Sequence, residues 1–304
     1  MTTTTTAITP LHIHTPRPTL KIQLFSDLHI EHQHFQYPKP IEGVYHLFLA
    51  GDIGKIHLQS YKSFITYCAS NWTNVWMVLG NHEYYHNRKD MPTLLKEYRT
   101  FVSKFKNVML LEQEAEMIEI TGEDGGVYTV AIIGTTFWSF IDPKQIDRNN
   151  CPVNCISSMK VKDDRHYTTK IGIERYNQIH LASREWFICT MNRLCGKDMD
   201  LDSHQRPSKI ICLTHYPLTH DNVFSDKYKD EDETTHNIFA TDMTDEFTKW
   251  GAEEYSDIIC LSGHSHNNHD FVKNGVRYIS NQLGYIGTAD TSIESFRLDG
   301  YFEI

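Results

Sequence analysis

Short apolar runs recur along the chain, and a small or polar turn follows each of them. The runs are Leu20–Phe25, Val44–Ala50, Val75–Leu79, Tyr128–Ile133, Lys209–Leu213 and Ile258–Leu261. Continuous apolar runs of this length are typical of strands that are buried on both faces in α/β proteins. The pattern therefore predicts a set of buried strands.

Stretches with helical periodicity fill gaps between these runs. They are Tyr61–Ala69, Met91–Phe105, Thr168–Leu194 and Thr241–Trp250. Thr241, with Asp245 nearby, predicts the start of the last helix. Hairpin signals lie at Glu123–Gly126, Asn274–Gly275 and Asp299–Gly300. Parallel units combined with hairpins predict an α/β fold in which two sheets pack together with helices outside.

The segment from about residue 141 to 208 departs from this rhythm. A polar loop leads into one long helical stretch whose apolar positions lie three or four residues apart. These positions are Tyr176, Ile179, Ala182 and Trp186. Such a stripe predicts a helix that covers a sheet face. Asp164 and Arg165, in the loop before the helix, are expected to be solvated.

Length and composition narrow the class of protein. The chain has 304 residues, and no apolar run approaches the roughly 20 residues that a membrane-spanning helix needs. Residues 1–18 are rich in Thr and Pro and lack the basic and apolar regions of a secretory signal, so we expect a disordered tail there. We expect residues 19–304 to form a single domain that carries a loop-plus-helix insertion at about 141–208.

The cysteines and the net charge indicate the cellular compartment of the protein and the classes of partner that it can bind. Seven scattered cysteines are typical of a reduced, cytoplasmic protein rather than of a disulfide framework. Cys151 and Cys155 are expected to be solvated, because no second pair at ligand spacing completes a zinc site. A net charge of −10 without a basic stripe makes nucleic acid a poor partner. A small anionic substrate stays compatible with this charge if metal ions supply positive charge locally.

Side chains that can bind metal ions follow five of the apolar runs. They are Asp27, His29, Asp52, Asn81, His215, His264 and His266. Because the carboxyl ends of strands in an open α/β sheet line one crevice, we expect these side chains to converge. Imidazole, carboxylate and amide oxygen suit Mn²⁺, Zn²⁺ and Fe. Seven donors exceed the needs of one ion and match two ions that share a bridging carboxylate.

The alternative for each of these residues taken alone is a structural role. Asp27 or Asp52 could cap the helix that follows it. Capping does not explain His264 and His266 together in a Gly-His-Ser-His turn. Two divalent ions with two carboxylates and a hydroxide keep a net positive charge that can hold a phosphate, so the set predicts hydrolytic chemistry. Glycines, which allow tight turns, precede three of the ligand positions. They are Gly51, Gly80 and Gly263.

Five short motifs occur in a fixed order, each behind an apolar run. They are FSDLH, AGD, LGNHE, LTH and SGHSH. In this order they resemble the calcineurin-like metallophosphoesterase superfamily, whose pattern is D-x-H, G-D, G-N-H-[DE], H and G-H-x-H. The resemblance covers residues 21 to 282 and implies a four-layer αββα sandwich of two mixed β-sheets flanked by helices.

The resemblance also implies a role for each site residue. One metal ion would be bound by Asp27, His29 and His266, and the other by Asn81, His215 and His264. Asp52 would bridge the two ions. His82 would not be a ligand but would protonate the leaving-group oxygen or stabilise the transferring phosphoryl group. A hydroxide between the ions would be the nucleophile.

The motifs do not select a substrate. The stretch GDIGKIH lacks the Asp-Arg pair of the protein Ser/Thr phosphatases. The motif order is closer to class III cyclic-nucleotide phosphodiesterases and to bacterial-type phosphoesterases, which often end in a segment similar to Val276–Gly287. We expect hydrolysis of small phosphate monoesters or diesters with two divalent ions, Mn²⁺ ahead of Fe or Zn²⁺. A non-catalytic protein-binding scaffold of the same fold and a nuclease stay open as alternatives.

Other residues near the motifs carry weaker expectations. For three of them a place in a substrate pocket and ordinary packing or surface exposure are both open: Tyr84, His86 and Tyr216. Trp138 is expected in the core. The acidic stretch 221–233, which His220 and His236 flank, is expected to be a solvated loop. Histidines expected at the surface or with satisfied hydrogen bonds are His32, His34, His57, His180 and His269.

Overall fold

The structure is a computed structural model that describes most of the chain. The described ranges are 19–122, 125–145, 158–162, 168–196, 206–226, 228–250, 257–288 and 291–304. The predicted tail at residues 1–18 lies outside them, as do Cys151, Cys155, Asp164 and Arg165.

The strands and helices alternate along most of the chain. The strands are β1 (Lys21–Phe25), β2 (His46–Ala50), β3 (Asn74–Val78), β4 (Val108–Leu110), β5 (Glu114–Thr121), β6 (Val127–Thr135), β7 (Lys160–Lys162), β8 (Thr168–Lys170), β9 (Lys209–Thr214), β10 (Asp257–Ser262), β11 (Asp270–Lys273), β12 (Val276–Ser280) and β13 (Phe302–Glu303). The helices are α1 (Gln59–Asn71), α2 (Met91–Val102), α3 (Ile173–Leu194), α4 (Glu233–Phe239) and α5 (Thr244–Lys249). All six predicted apolar runs are strands, with ends that differ by one or two residues.

The strands form two large sheets. One has the order β13-β1-β2-β3-β4 and the other the order β11-β12-β10-β9-β6-β5. The inner strands pair in parallel, whereas β13, β11 and β5 add antiparallel edge strands. Both sheets are therefore mixed.

Three apolar cores define the order of the layers. The core between the sheets combines Phe48 and Trp76 of the first sheet with Ile132 and Leu213 of the second. A second core packs α1 and α2 against the outer face of the first sheet, and a third packs α3 and α5 against the outer face of the second. The expected αββα sandwich is confirmed.

No described helix combines the length and the apolar character that crossing a bilayer requires.

The long helix of the insertion begins later than predicted, and polar side chains share its inward face with the predicted apolar ones. Residues 168–170 are strand β8, and α3 begins at Ile173. Its buried side chains are Tyr176, Asn177, His180, Ser183, Phe187, Thr190 and Met191. Of the predicted stripe, Ala182 is exposed and Trp186 is only half-buried.

Hydrogen bonds explain why the polar face of α3 can be buried. Asn177 donates to and accepts from the backbone of Ile141 at 2.8 and 3.0 Å. The Nδ1 atom of His180 lies 2.5 Å from the carbonyl oxygen of Trp138. Buried polar groups with partners carry little penalty, so an apolar stripe alone did not identify the packed face.

Two further predictions near the C-terminus need correction. The last helix begins at Thr244 rather than Thr241, and the carboxylate of Asp242 accepts the backbone N–H of Thr244 at 2.9 Å. The signal at 274–275 does join the antiparallel strands β11 and β12. The signal at 299–300 joins no hairpin in the described part of the chain, because β13 pairs with β1 at the far end of the sequence.

Candidate metal centre

The carboxyl ends of five strands meet at one edge of the sandwich. Strands β1, β2 and β3 of the first sheet and β9 and β10 of the second each lead into a loop that carries predicted ligands. All seven predicted ligands lie in these loops, and the structure brings their donor atoms into two adjoining groups around Asp52.

Asp27, His29 and His266 form the first group of donors. The Nε2 atoms of His29 and His266 lie 3.2 Å apart. Asp27 Oδ1 lies 3.2 Å from Nε2 of His266 and 4.0 Å from Nε2 of His29. Two donors bound to one ion at about 2.1 Å are themselves roughly 3.0–3.4 Å apart. Two of the three distances therefore have the spacing of donors that share one metal ion, and the third, between Asp27 and His29, is longer.

Asn81, His215 and His264 form the second group. Asn81 Oδ1 lies 2.9 Å from Nε2 of His215, and Nδ1 of His264 lies 3.2 Å from the same nitrogen. The three atoms come from loops after β3, β9 and β10, so both sheets contribute to this group.

Asp52 lies between the two groups. Its Oδ2 atom is 3.9 Å from Nε2 of His29 and 3.5 Å from Nε2 of His215. Its other oxygen, Oδ1, accepts the backbone N–H of His82 at 2.8 Å. One carboxylate oxygen is thus fixed by the chain, and the other faces both sets of donors.

The chain orients several ligands by binding their outward-facing atoms. Nδ1 of His215 lies 2.9 Å from the carbonyl oxygen of Ala50, which leaves Nε2 for the site. Asn81 donates its Nδ2 to the hydroxyl of Tyr85 at 2.7 Å, which turns Oδ1 inward. Outer partners of this kind fix the tautomer and the orientation of metal ligands.

Burial shifts the pKa values of three of the histidines in the direction that suits metal binding. Burial lowers the pKa of His29 and of His215 to about 4 and that of His264 well below its usual value. Neutral imidazole is the form that binds metals. Burial raises the pKa of Asp52 well above normal, and the nearby carboxylates of Glu83 and Asp27 add to the rise. Such repulsion between carboxylates is what a cation between them would relieve.

His82 lies beside the donors and is held at both ring nitrogens. Its Nδ1 atom is 3.3 Å from Oε1 of Glu31, and its Nε2 atom is 3.0 Å from the hydroxyl of Tyr285. The ring of Tyr285 stacks on His29 with ring centroids 4.3 Å apart. The structure therefore places His82 at the edge of the donor cluster, with both ring nitrogens paired to neighbouring side chains.

The sequence model of the calcineurin-like phosphoesterase family matches residues 20–268. The chain belongs to this family. It is therefore a metal-dependent phosphoesterase, and so a hydrolase. The resemblance that the five motifs indicated is confirmed.

This calcineurin-like phosphoesterase is similar in sequence to one known protein and in structure to another. It is 25% identical over 286 residues to the uncharacterized protein L509 of Acanthamoeba polyphaga mimivirus. This alignment covers 87% of this chain and 91% of that protein. Its structure is similar to that of the phosphopantetheinyl hydrolase PptH from Mycobacterium tuberculosis, with a TM-score of 0.54 and 18% identity over 88% of this chain and 90% of that chain. At that identity the second similarity shows a shared fold alone.

The donor set of this phosphoesterase fits the two metal ions of its family. Oδ2 of Asp27 accepts from the Ser26 hydroxyl at 2.5 Å and from the backbone N–H of His264 at 3.0 Å. Oδ1 of Asp27 is buried and faces Nε2 of His266 at 3.2 Å. A buried carboxylate oxygen that faces imidazole nitrogens needs a cation or a proton as partner.

Glu83, the last residue of the GNHE motif, joins the loops after β2 and β3. Its carboxylate is 2% exposed and accepts four backbone N–H groups. Oε2 accepts from Asp52 at 3.0 Å and from Gly80 at 2.8 Å, and Oε1 accepts from Ile53 at 2.8 Å and from Gly54 at 3.2 Å. The motif letter was visible in the sequence, but this function of Glu83 was missed.

The glycines before Asn81 and His264 are required by space. A Cβ on Gly80 would lie 2.2 Å from Oδ1 of Asp52, and a Cβ on Gly263 would lie 1.9 Å from the hydroxyl oxygen of Ser26. No side chain fits at either position. The loops of the two sheets can approach this closely only with glycine there.

A cavity of about 1210 Å³ opens in front of the donors. His82 and Tyr285 line it near the metal centre. The stretch 221–233, expected to be only a solvated loop, forms part of its wall, and His220 and His236 line it as well. That expectation was incomplete, because charged composition does not reveal which side of a loop faces a pocket.

The other residues near the motifs are structural. Tyr84 and Trp138 are buried in the core and pack against each other, with ring centroids 5.5 Å apart. Tyr216 is buried behind His264, with ring centroids 3.9 Å apart, so it supports a ligand rather than lining the pocket. Nδ1 of His86 accepts two backbone N–H groups.

Proposed function

We propose that this phosphoesterase hydrolyses small phosphate monoesters or diesters at a centre of two divalent ions. The seven predicted side chains would hold the ions, three on each side of the bridging Asp52. The observation that carries the proposal is the position of Asp52 Oδ2, at 3.9 Å from Nε2 of His29 in one group and 3.5 Å from Nε2 of His215 in the other.

The donors suit Mn²⁺, with Fe and Zn²⁺ as alternatives. Two such ions, when bound, lower the pKa of a coordinated water and neutralise negative charge on phosphoryl oxygens. A cavity of about 1210 Å³ leaves room beside the centre for the rest of a small ester.

His82 is the general acid in this proposal. In hydrolysis a water oxygen bonds to phosphorus while the bond from phosphorus to the leaving oxygen breaks. Nε2 of His82 gives its proton to that leaving oxygen, and the attacking water releases a proton to solvent, which balances the reaction. Glu31 accepts from Nδ1 and keeps Nε2 toward the cavity. The hydroxyl of Tyr285 lies 3.0 Å from Nε2 and helps to orient the ring of His82.

Two variants separate metal binding from proton transfer. Protein is loaded with Mn²⁺, its metal content is measured, and hydrolysis of 4-nitrophenyl phosphate and of bis(4-nitrophenyl) phosphate is followed. We expect two ions per chain in the wild type. Asp52→Asn should lose activity and bind less than two ions. His82→Ala should keep both ions and lose about 10²- to 10⁴-fold in turnover, the usual range for a general acid.

His57→Ala is the matched control, because His57 is exposed and lies outside the donor groups. It should retain wild-type turnover and metal content. Two results would contradict the proposal: wild-type protein with two bound ions that turns over neither ester, or equal turnover in the wild type and both site variants. The first result would favour the scaffold alternative.

A further inference from the structure

One wall of the cavity is aromatic. It consists of four half-buried side chains from the segment between β9 and α5, which together are called the aromatic wall: Phe224, Tyr228, His236 and Phe239. None of them belongs to the donor groups, and the proposed hydrolysis does not use them.

The aromatic wall is continuous with the metal centre. Phe224 and His236 stack face to face, with ring centroids 4.1 Å apart and an interplanar angle of 12°. Tyr228 packs against Phe239 at 5.4 Å, and Phe239 lies 6.0 Å from the ring of His264. A phosphate held at the donors would therefore place the rest of its ester beside these rings.

The wall is held in place by bonds within its own segment. The side chain of Asp232 accepts the backbone N–H of Thr235 at the start of α4. Nε2 of His236 lies 2.9 Å from the carbonyl oxygen of Tyr228. Val223 and Ile238 of the same segment are buried. Rings fixed in this way offer a preformed surface to a ligand.

The charge around the wall disfavours a second anionic group on the ligand. Among the described lining residues, Lys229 is the one lysine or arginine, and it is paired with Asp226 at 2.8 Å. Two further carboxylates line the cavity: that of Asp221, which is paired with Lys273, and that of Glu294. In the described part of this lining, a further phosphate away from the metal centre would meet the carboxylate of Glu294 and no unpaired lysine or arginine.

We propose that the aromatic wall binds the leaving group of the substrate, and that this group is an aromatic ring without a further anionic substituent. Flat rings stack on half-buried aromatic side chains, whereas saturated groups of the same size gain only the burial of apolar area. The proposal rests on the proposed function, because it takes the phosphate to be held at the donor groups.

Binding of two phosphonates that differ only in ring type tests the proposal. Benzylphosphonate and cyclohexylmethylphosphonate carry the same anionic group and rings of the same size. Their dissociation constants are measured by calorimetry on Mn²⁺-loaded protein. We expect benzylphosphonate to bind about fivefold more tightly, as one aromatic contact predicts. We expect 4-carboxybenzylphosphonate to bind more weakly than benzylphosphonate, because its second charge would meet the carboxylates.

Variants assign this preference to the wall. Phe224→Leu keeps an apolar side chain but removes the ring, and it should reduce the benzyl preference to less than about twofold. Tyr228→Leu provides a second test if the first variant is not folded by circular dichroism. The control is Phe140→Leu, since Phe140 is an exposed phenylalanine outside the cavity lining. It should keep the wild-type preference.

The outcomes distinguish this proposal from the proposed function. Equal binding of the two phosphonates by the wild type, or an unchanged preference in Phe224→Leu and Tyr228→Leu, would overturn the aromatic site even in an active enzyme. Tighter binding of the carboxylated ligand would overturn the charge argument. A ring preference that depends on Phe224, in protein that hydrolyses no ester, would support the wall and reject the proposed hydrolysis.

Discussion

The carboxylate of Glu83 is predicted to determine the stability of the metal-binding edge before any metal is present. It lies between the loop after β2 and the loop after β3 and accepts N–H groups from both. The informative changes are Glu83→Gln and Glu83→Ala, because the first removes two acceptor positions and the second removes all of them.

The size of the effect follows from the number of bonds. A hydrogen bond to a charged group contributes about 1.5 kcal/mol or more, so losing four acceptors in Glu83→Ala should lower the free energy of unfolding by about 6 kcal/mol. Glu83→Gln keeps one oxygen and turns an NH₂ group toward two N–H donors, so its loss should be about 3 kcal/mol. Domains are stable by only about 5–15 kcal/mol, so the alanine variant is close to the limit of folding and the glutamine variant is measurable.

Urea unfolding in the presence of EDTA, followed by circular dichroism, measures both changes without a contribution from bound metal. Glu116→Gln is the control, since Glu116 is an exposed residue on β5 and its loss should change stability by less than about 0.5 kcal/mol. The reasoning fails if Glu83→Ala unfolds within about 1 kcal/mol of the wild type, for the four N–H groups would then have other partners.

Two further predictions concern Tyr285 and His269. Tyr285→Phe removes the hydroxyl that lies 3.0 Å from Nε2 of His82 but keeps the ring that stacks on His29. Turnover of 4-nitrophenyl phosphate should therefore fall about tenfold, while the Mn²⁺ content stays the same. An unchanged kcat would show that the hydroxyl has no part in orienting His82. Burial lowers the pKa of His269 from 6.5 to about 4, so between these pH values the unfolded chain binds a proton that the folded chain does not. The contribution of His269 to stability is therefore present above pH 6.5 and is lost as the pH falls toward 4, by about 1.4 kcal/mol per pH unit. Urea unfolding at pH 7 and pH 5 in EDTA should show a smaller pH effect in His269→Gln than in the wild type, and equal effects would contradict the assignment.

The positions of the strands, and the edge of the sheets at which the donor groups lie, were predictable because a single physical rule governs each of them. Buried parallel strands must be apolar throughout, so runs such as 209–213 and 258–261 were visible without other information. Side chains just after such runs lie at the carboxyl ends of the strands, and parallel pairing brings those ends together. The face of α3 was not predictable in this way, since His180 is buried by virtue of its bond to Trp138, and a sequence does not show its partners.

The supports of the site escaped prediction for a similar reason. The hydroxyl of Tyr285 and the ring of His82 are 203 positions apart in the chain, and nothing in either segment indicates their contact. Glu31 lies next to the first motif, yet its contact with Nδ1 of His82 depends on how two loops cross. Likewise, Phe224 and His236 lie in a charged stretch whose composition suggests only solvation, and their stacking appears only once α4 folds back. The predicted metal ligands can thus be identified from short sequence motifs, whereas the side chains that orient them can be identified only from the tertiary structure.

The backbone conformation of five predicted ligands argues against a helix-capping role for them. Five of the seven have positive φ: Asp27 at 53°, His29 at 44°, Asp52 at 52°, His264 at 70° and His266 at 51°. A helix-capping residue adopts the extended region instead, so capping does not require this conformation. Each such residue costs roughly 1 kcal/mol, and five together cost roughly 5 kcal/mol, which is a large part of the stability of a domain. Strain of that size persists only where other contacts hold the backbone. Glu83 holds the loop of Asp52 by its hydrogen bonds, and the close approach of Gly263 to Ser26 holds the loop of Asp27. Because ions that bind only the folded chain add to its stability, metal ions bound at these loops would offset part of the strain.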